Sequence, residues 1–230
     1  VGLTSAYSLM EKKKKMVWYY YASPADGSIM SEPMGTPNTE TQPMRSITES
    51  WKKQEPYHIV ELDARETVAH QTFIAERSIN FPYTAAELIS FSPEELKLHT
   101  FNFKQGYLLQ IGGERLSADQ IDIMLRFTKA FEMTYRRFLD LQNAEAQAKE
   151  AQIEAALEKV RSRSMAMHST EELADVSSVV YEELNKLGIT AFESCGFEIV
   201  DEENESLSVW NFHVGLKQLT RFEMPLKGDA

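Results

Sequence analysis

The chain has 230 residues, of which 43% are hydrophobic and 26% charged. Its 24 Lys and Arg against 35 Asp and Glu give a formal net charge of −11, which disfavours nucleic-acid binding because that depends on clustered basic residues. The length predicts one or two domains. Cys195 is the single cysteine, which predicts a reducing, cytoplasmic setting. No signal peptide is found, and no apolar run approaches the roughly 20 residues of a membrane span.

Two aromatic-rich segments near the start predict a β-hairpin. Apolar residues alternate over 6–11 and 16–22, on either side of the lysine run Lys12–Lys15. Trp18 and Tyr20 lie on one face of the second strand, and we expect that face to be buried or to line a pocket. The lysines between the strands are expected to form a solvated turn rather than an anion site.

Three more strands and two helices are predicted before residue 117. The strands lie at 57–62, 98–104 and 106–112, and the helices lie near 40–54 and 64–77. Asp63, followed three residues later by Glu66, predicts a capping box for the second helix. Pro82 and Pro93 mark an irregular region. Five antiparallel strands with inserted helices predict an α+β sandwich over residues 1–116.

One long helix is predicted over residues 117–167. Ser117 and Gln120 form a capping box, and neither Gly nor Pro follows until Gly188. After Leu141 the apolar stripe thins to alanines, then resumes at spacings of four, three and seven, at Ile153, Leu157, Val160 and Met167. That spacing is typical of a coiled coil, so we expect the helix to pair with a second copy of the chain. A merely solvated connector is the alternative.

The last part of the chain has a different composition from the rest. The formal net charge is −2 over residues 1–116, 0 over 117–167 and −9 over 168–230. A shift of this size indicates a second folding unit. A helix over 170–187 is predicted to open it, with a capping box at Ser169 and Glu172 and a stop at Gly188.

The start of the chain is also repeated near its end. Residues 6–11 align with 196–201 at an offset of 190, and an offset of 192 aligns 17–20 with 209–212 and Pro33-Met34 with Pro225-Leu226. Trp18 then corresponds to Trp210. The repeat predicts that 168–230 is the first part of a second copy of the domain at 1–116. Beyond Gly188 we expect this second copy to be disordered or to pack against another chain.

The order of these elements resembles that of a GAF-type sensor domain. The run RFTKAFEMTYRRFLDLQ at 126–142 resembles the closing helix of GAF-like repeats in bacterial multidomain signalling proteins, and AEAQAKEAQIEAALEKVR at 144–161 resembles their linker. The resemblance covers residues 51–190 best. It implies a five-stranded sensor domain, a signalling helix and a tandem second repeat, placed before an output domain such as the histidine kinase of a two-component system. GAF pockets carry no universal motif, so neither ligand nor cofactor is identified.

Motifs of catalysis are not found in the sequence. None of the five histidines has the neighbours of a phosphoacceptor, and Gly-rich phosphate loops and a Gly-x-Ser-x-Gly elbow are lacking. We therefore predict that the chain is not itself an enzyme and that any kinase lies beyond Ala230. Glu66 and His70, four residues apart on a predicted helix, could supply two metal ligands, but such pairs are common by chance and no metal site is predicted.

Four residues are the candidates for ligand binding: Trp18, Tyr20, Trp51 and His58. His58 shares a strand face with Val60 and so points toward apolar surroundings, where the aromatic side chains could be its neighbours in one cavity. Aromatic walls with a single polar group are typical of small-ligand pockets, and equally of ordinary cores.

The predicted function is that of a regulatory sensor segment. It would bind an unknown small ligand or a partner and transmit through a dimeric helix to an output domain. The alternative is a structural or dimerisation module that has no small-molecule ligand. In both cases we expect a homodimer through the linker helix, with no nucleic-acid partner and no membrane span.

Overall fold

A computed structural model describes residues 4–21, 32–213 and 218–226. The chain forms two compact units, Val1–Phe138 and Leu139–Ala230. The long helix contributes its first part to unit 1 and its second part to unit 2. The architecture is α+β with antiparallel sheets and one long helix, as predicted.

Unit 1 contains one six-stranded antiparallel sheet. Its strands are β1 (Thr4–Glu11), β2 (Met16–Tyr21), β3 (Met34–Pro37), β4 (Tyr57–Leu62), β5 (Leu96–Phe103) and β6 (Gly106–Gly112). They lie in the order β3-β2-β1-β6-β5-β4. The predicted count of five strands is wrong, because β3 at the edge was missed. Its four residues contain Gly and Pro, which are depleted in strands and give no alternating pattern.

Four helices belong wholly or partly to unit 1: α1 (Gln42–Lys53), α2 (Ala64–Arg77), α3 (Ala85–Phe91) and α4 (Ala118–Met165). The capping box of α2 is confirmed, since Glu66 N–H donates to Asp63 Oδ1 at 2.8 Å. That of α4 is confirmed as well, with Ser117 N–H donating to the Gln120 amide oxygen at 2.8 Å. The region expected to be irregular contains α3, which a capping box at Thr84 opens.

The two faces of the sheet are covered by different helices. On one face, Met44 and Ile47 of α1 pack in the core with Val17 and Tyr19. On the other face, Phe131 of α4 stacks on Tyr7 with ring centroids 3.9 Å apart, and it meets Phe103 edge-on at 5.3 Å. Neighbouring residues of each strand therefore contact different helices.

The face predicted to be buried on β2 is the wrong one. Val17 and Tyr19 are buried in the core, whereas Tyr20 is 43% exposed and Trp18 is half-buried on the opposite side. Trp18 Nε1 donates to Glu11 Oε2 at 2.8 Å, so its polar edge is satisfied near the surface. The alternation along β2 is as predicted, but the face was chosen from the match of Trp18 with Trp210, and the buried side chains are those of the opposite face.

Unit 2 contains the second part of α4, a 3₁₀ turn at Thr170–Glu172, α5 (Leu173–Lys186) and a three-stranded antiparallel sheet, β7 (Ser194–Asp201), β8 (Ser206–His213) and β9 (Gln218–Pro225). Helix α5 packs on this sheet, with Val176 buried and the rings of Tyr181 and Phe212 at 5.0 Å. The described residues beyond Gly188 form three strands, so the expectation of disorder there is wrong.

The two ends of α5 differ in how well they were predicted. The capping box at Ser169 is wrong: Ser169 makes no side-chain cap, and the Glu172 carboxylate accepts from the N–H of His168 at 3.3 Å. The stop at Gly188 is confirmed. Its φ of 83° lies in the left-handed region, and the N–H of Ile189 donates to the carbonyl of Leu184 at 3.0 Å, which closes the helix in a Schellman motif.

The hairpins β1-β2 and β7-β8 have the same register. Their last pairs before the turn are Glu11 with Met16 and Asp201 with Ser206, and their turns end with positive φ at Lys15 and Glu205. An offset of 190 therefore holds through both strands. The predicted match of Trp18 with Trp210 is wrong by two residues. That alignment gave the second turn two extra residues, whereas the two turns have the same length.

The third strands correct the alignment in the same way. Pro37 pairs with Met16 in unit 1, and Pro225 pairs with Ser206 in unit 2. Pro37 is therefore the counterpart of Pro225, and the predicted match of Pro33 with Pro225 is wrong. Both units contain a three-stranded meander of matching register.

Candidate functional site

A cavity of about 1060 Å³ lies beside the sheet of unit 1, on the face covered by α1 and α2. Its walls are mainly apolar, with Met34, Met44, Ile47, Ile74, Leu88, Leu96, Leu98, Leu109 and Ile111 among the lining residues. This volume is slightly above the range of roughly 300–1,000 Å³ that is usual for small-molecule sites. The side chains converge from β2, β3, β5, β6 and four helices, so the cavity is a product of the tertiary fold.

His70 is a buried histidine in this wall. It lies on α2 and is 7% exposed. Among the residues that the structure describes, none forms a hydrogen bond with its Nδ1. Burial lowers the pKa of His70 to about 4, so the imidazole is neutral at pH 7. A neutral imidazole has one ring nitrogen that donates and one that accepts. Nδ1 has almost no exposed surface, so a ligand in the cavity reaches it when the ring turns about χ2.

The polar groups next to His70 already have partners. Gln71 Nε2 donates to Ser92 Oγ at 2.7 Å, and Ser92 Oγ donates to the carbonyl of Leu88 at 2.6 Å. These bonds join α2 to α3 at the cavity wall. On the sheet side, the hydroxyls of Tyr19 and Tyr107 share a hydrogen bond of 2.9 Å, and burial raises the pKa of Tyr19, which keeps it neutral.

Three aromatic rings form part of the cavity lining near α3. Phe81 and Tyr83 meet edge-on at 5.8 Å, and Tyr83 and Phe91 meet edge-on at 5.2 Å. Tyr83 and Phe91 are each about half exposed. We call these three residues the aromatic rim. Exposed aromatic side chains beside a cavity gain burial when a ligand enters.

A smaller hollow of about 470 Å³ lies between α1, β4 and α2, and His70 borders it too. Its wall is more polar and includes Thr41, Ser46 and the carboxylate of Glu66. Glu66 is engaged there in capping α2, since it accepts from the N–H of Asp63 at 3.1 Å.

The four residues predicted to bind a ligand are not brought together. Trp18 and Tyr20 lie on the face covered by α4, whereas Trp51 and His58 lie on the face covered by α1, so their predicted shared cavity is wrong. Trp51 is a core residue that donates from Nε1 to the carbonyl of Phe103 at 3.0 Å. His58 Nε2 is hydrogen-bonded to Ser46 Oγ at 2.9 Å. None of the four lines the larger cavity.

His70 was singled out in the sequence only as half of a weak metal pair. Its partner in that pair, Glu66, is used in the cap of α2. Within the part of the chain that the structure describes, no group of three or more His, Cys, Asp or Glu is arranged to hold a metal ion. The sequence gives little signal for His70, because the residues that α2 buries, Thr67, His70 and Gln71, are all polar and leave no apolar face on which a histidine would stand out.

Among residues 4–21, 32–213 and 218–226, no helix combines the length and the apolarity needed to cross a bilayer. Comparison with protein-family models, with curated proteins and with solved structures gives no match. The function is therefore inferred from the cavity and the helix.

Proposed function

We propose that the chain is a regulatory sensor segment of a cytoplasmic signalling protein. Unit 1 is a GAF-like domain that binds a small ligand in the cavity beside its sheet. Helix α4 transmits the bound state as one of a pair in a homodimer, and an output domain such as a histidine kinase receives it. The observation that carries this proposal is the large cavity with the unpartnered imidazole of His70 in its wall.

The cavity supports ligand binding because, when it is unfilled, it lowers the stability of the fold. Cores are close-packed, and unfilled volume lowers stability. A buried polar atom without a partner adds a further cost of about 1–3 kcal/mol. Both features occur at the same place, around His70. Departures of this kind from good packing are expected at functional sites, where a ligand supplies the missing contacts.

Strand β6 supplies a physical route from the cavity to α4. Leu109 and Ile111 line the cavity. Gln110 lies between them and points to the other face, where its Nε2 donates to Met124 Sδ of α4 at 3.4 Å. A ligand that displaces Leu109 or Ile111 therefore also moves a residue that contacts the helix. The proposal requires that α4 has two alternative positions and that the bound ligand favours one of them.

Unit 2 is proposed to be the opening part of a second GAF-like repeat. Support comes from the matching meanders: the β1-β2 and β7-β8 turns have the same length and the strand pairs have the same register, whereas the connections to β3 and β9 differ in length. Helix α5 is packed on the second meander. Helices α4 and α5 precede this repeated unit in the chain, as expected for domains that pass a signal from one to the next.

The homodimer is the part of the proposal that can be tested first. Leu157 and Met165 of α4 are large apolar residues that are 49% and 79% exposed. Leu157 belongs to the predicted coiled-coil seam, which a second copy of the chain would cover. Static light scattering of the whole chain at micromolar concentration is expected to give twice the mass of 26.3 kDa. A monomer at that concentration would contradict a dimeric relay.

A further inference from the structure

We propose that the cavity of unit 1 takes an uncharged ligand with an aromatic body and one polar group that hydrogen-bonds to Nδ1 of His70. This inference rests on the proposed function and specifies the chemical class of its ligand. Three properties of the wall carry it: the wall's charge, its aromatic content and the buried, unpartnered Nδ1 of His70.

Charge is the first property. The charged residues among the described ones lining the cavity are Glu114 and Arg115, and both are exposed. Arg115 is already paired with Glu61 at the surface. His70 adds no charge, because burial lowers its pKa to about 4. An ion that moved from water into this wall would lose its hydration without gaining a counter-charge, whereas a neutral ligand avoids that cost.

Aromatic content is the second property. Tyr19 and Tyr21 line the sheet side of the cavity, with their rings stacked at 5.8 Å, and the aromatic rim lies near α3. Aromatic rings attract one another in offset and edge-to-face arrangements beyond the burial of their area. A planar aromatic ligand finds both stacked and edge-on partners in this wall, and the half-exposed rings of Tyr83 and Phe91 become covered when it binds.

The unpartnered Nδ1 of His70 is the third property. Gln71 and Ser92 are already bonded to each other, and Tyr19 is bonded to Tyr107. Nδ1 of His70 is left as a buried nitrogen with no partner in the described part of the chain. A hydroxyl or amide on the ligand restores the bond that burial removed. His70 therefore sets the position of the polar group, and the apolar wall sets the position of the ring system.

The test uses three naphthalene derivatives as probes. 2-Naphthol is neutral and has a hydroxyl, 2-methylnaphthalene has the same shape without it, and 2-naphthoate carries a negative charge. Binding is followed in the whole chain by NMR of ¹³C-methyl methionine, because Met34 and Met44 line the larger cavity and not the smaller hollow. Met133 is 66% exposed on α4 and serves as the internal control.

The proposal predicts saturable shifts of Met34 and Met44 with 2-naphthol, and binding of 2-naphthoate weaker by about tenfold or more. In the variant His70→Leu, the affinity for 2-naphthol relative to 2-methylnaphthalene is expected to fall by about five- to tenfold. The control His58→Leu should leave that ratio unchanged, since His58 does not line the cavity. Binding of 2-methylnaphthalene to His70→Leu shows that the variant still folds.

Two results separate this inference from the proposed function. If 2-naphthoate binds as tightly as 2-naphthol, or if His70→Leu leaves the ratio unchanged, the ligand class is wrong while the cavity remains a binding site. If none of the three probes shifts Met34 or Met44, both the ligand class and the sensor function are contradicted, and the alternative of a structural dimerisation module is supported.

Discussion

The variant His70→Leu is expected to be more stable than the wild-type chain by about 1–3 kcal/mol at pH 7. Leucine has a similar size, fills the same place in the apolar wall and removes the buried nitrogen that has no partner in the described structure. Urea unfolding gives the change in free energy. The matched control is His58→Leu, which loses the hydrogen bond to Ser46 and is expected to be less stable than wild type.

The advantage of His70→Leu should also grow as the pH falls. The pKa of His70 is lowered by burial from 6.5 to about 4, so between these values the unfolded chain binds a proton that the folded chain does not. Stability then decreases as the pH drops through this window. The difference between variant and wild type is expected to be about 2 kcal/mol larger at pH 5 than at pH 7. A difference that does not depend on pH would show that His70 titrates normally and is not desolvated.

The second large effect is expected at the proposed helix pair. Leu157→Glu should raise the dissociation constant of the dimer by at least about tenfold, because a parallel pair would bring two carboxylates together in an apolar seam. Sedimentation velocity over a dilution series measures this constant. Leu157 is 49% exposed, so the substitution leaves the packing of its own unit largely unchanged.

Leu141→Glu is the matched control for the helix pair. Leu141 is 57% exposed on the same helix but is not in register with Ile153, Leu157 and Val160. Its dissociation constant is expected to stay close to the wild-type value. Equal weakening by both substitutions would mean that the chains associate through general apolar contact and that the predicted seam does not form.

Local signals in the sequence were sufficient for much of the fold. The capping residues Asp63 and Ser117 place the starts of α2 and α4 within one residue, and Gly188 places the end of α5. Such signals involve side chains that bond to backbone groups of the same short segment. Helix α3 and strand β3 were missed because they are short and lie beside prolines, where the periodic pattern is too brief to identify.

Long-range features were the ones that could not be derived. Alternation on β2 gives two possible faces, and only the packing of Tyr19 against Tyr107, far along the chain, decides between them. The cavity likewise joins residues from distant segments, such as Met34, His70 and Leu109. Whether a buried atom has a hydrogen-bond partner depends on side chains from distant segments. Nothing near His70 in the sequence therefore identifies its Nδ1 as unpartnered.

The most direct test of the sensor proposal is whether filling the cavity moves the helix. The variant combines Ala148→Cys with Cys195→Ser, so that each copy has one thiol, on α4, for a spin label. Pulsed electron paramagnetic resonance then measures the distance between the labels on the two copies. Saturation with 2-naphthol is predicted to shift the main distance by about 2 Å or more, the scale of helix movements at subunit interfaces. An unchanged distance, while the Met34 methyl signal shows that the cavity is occupied, would contradict the proposal.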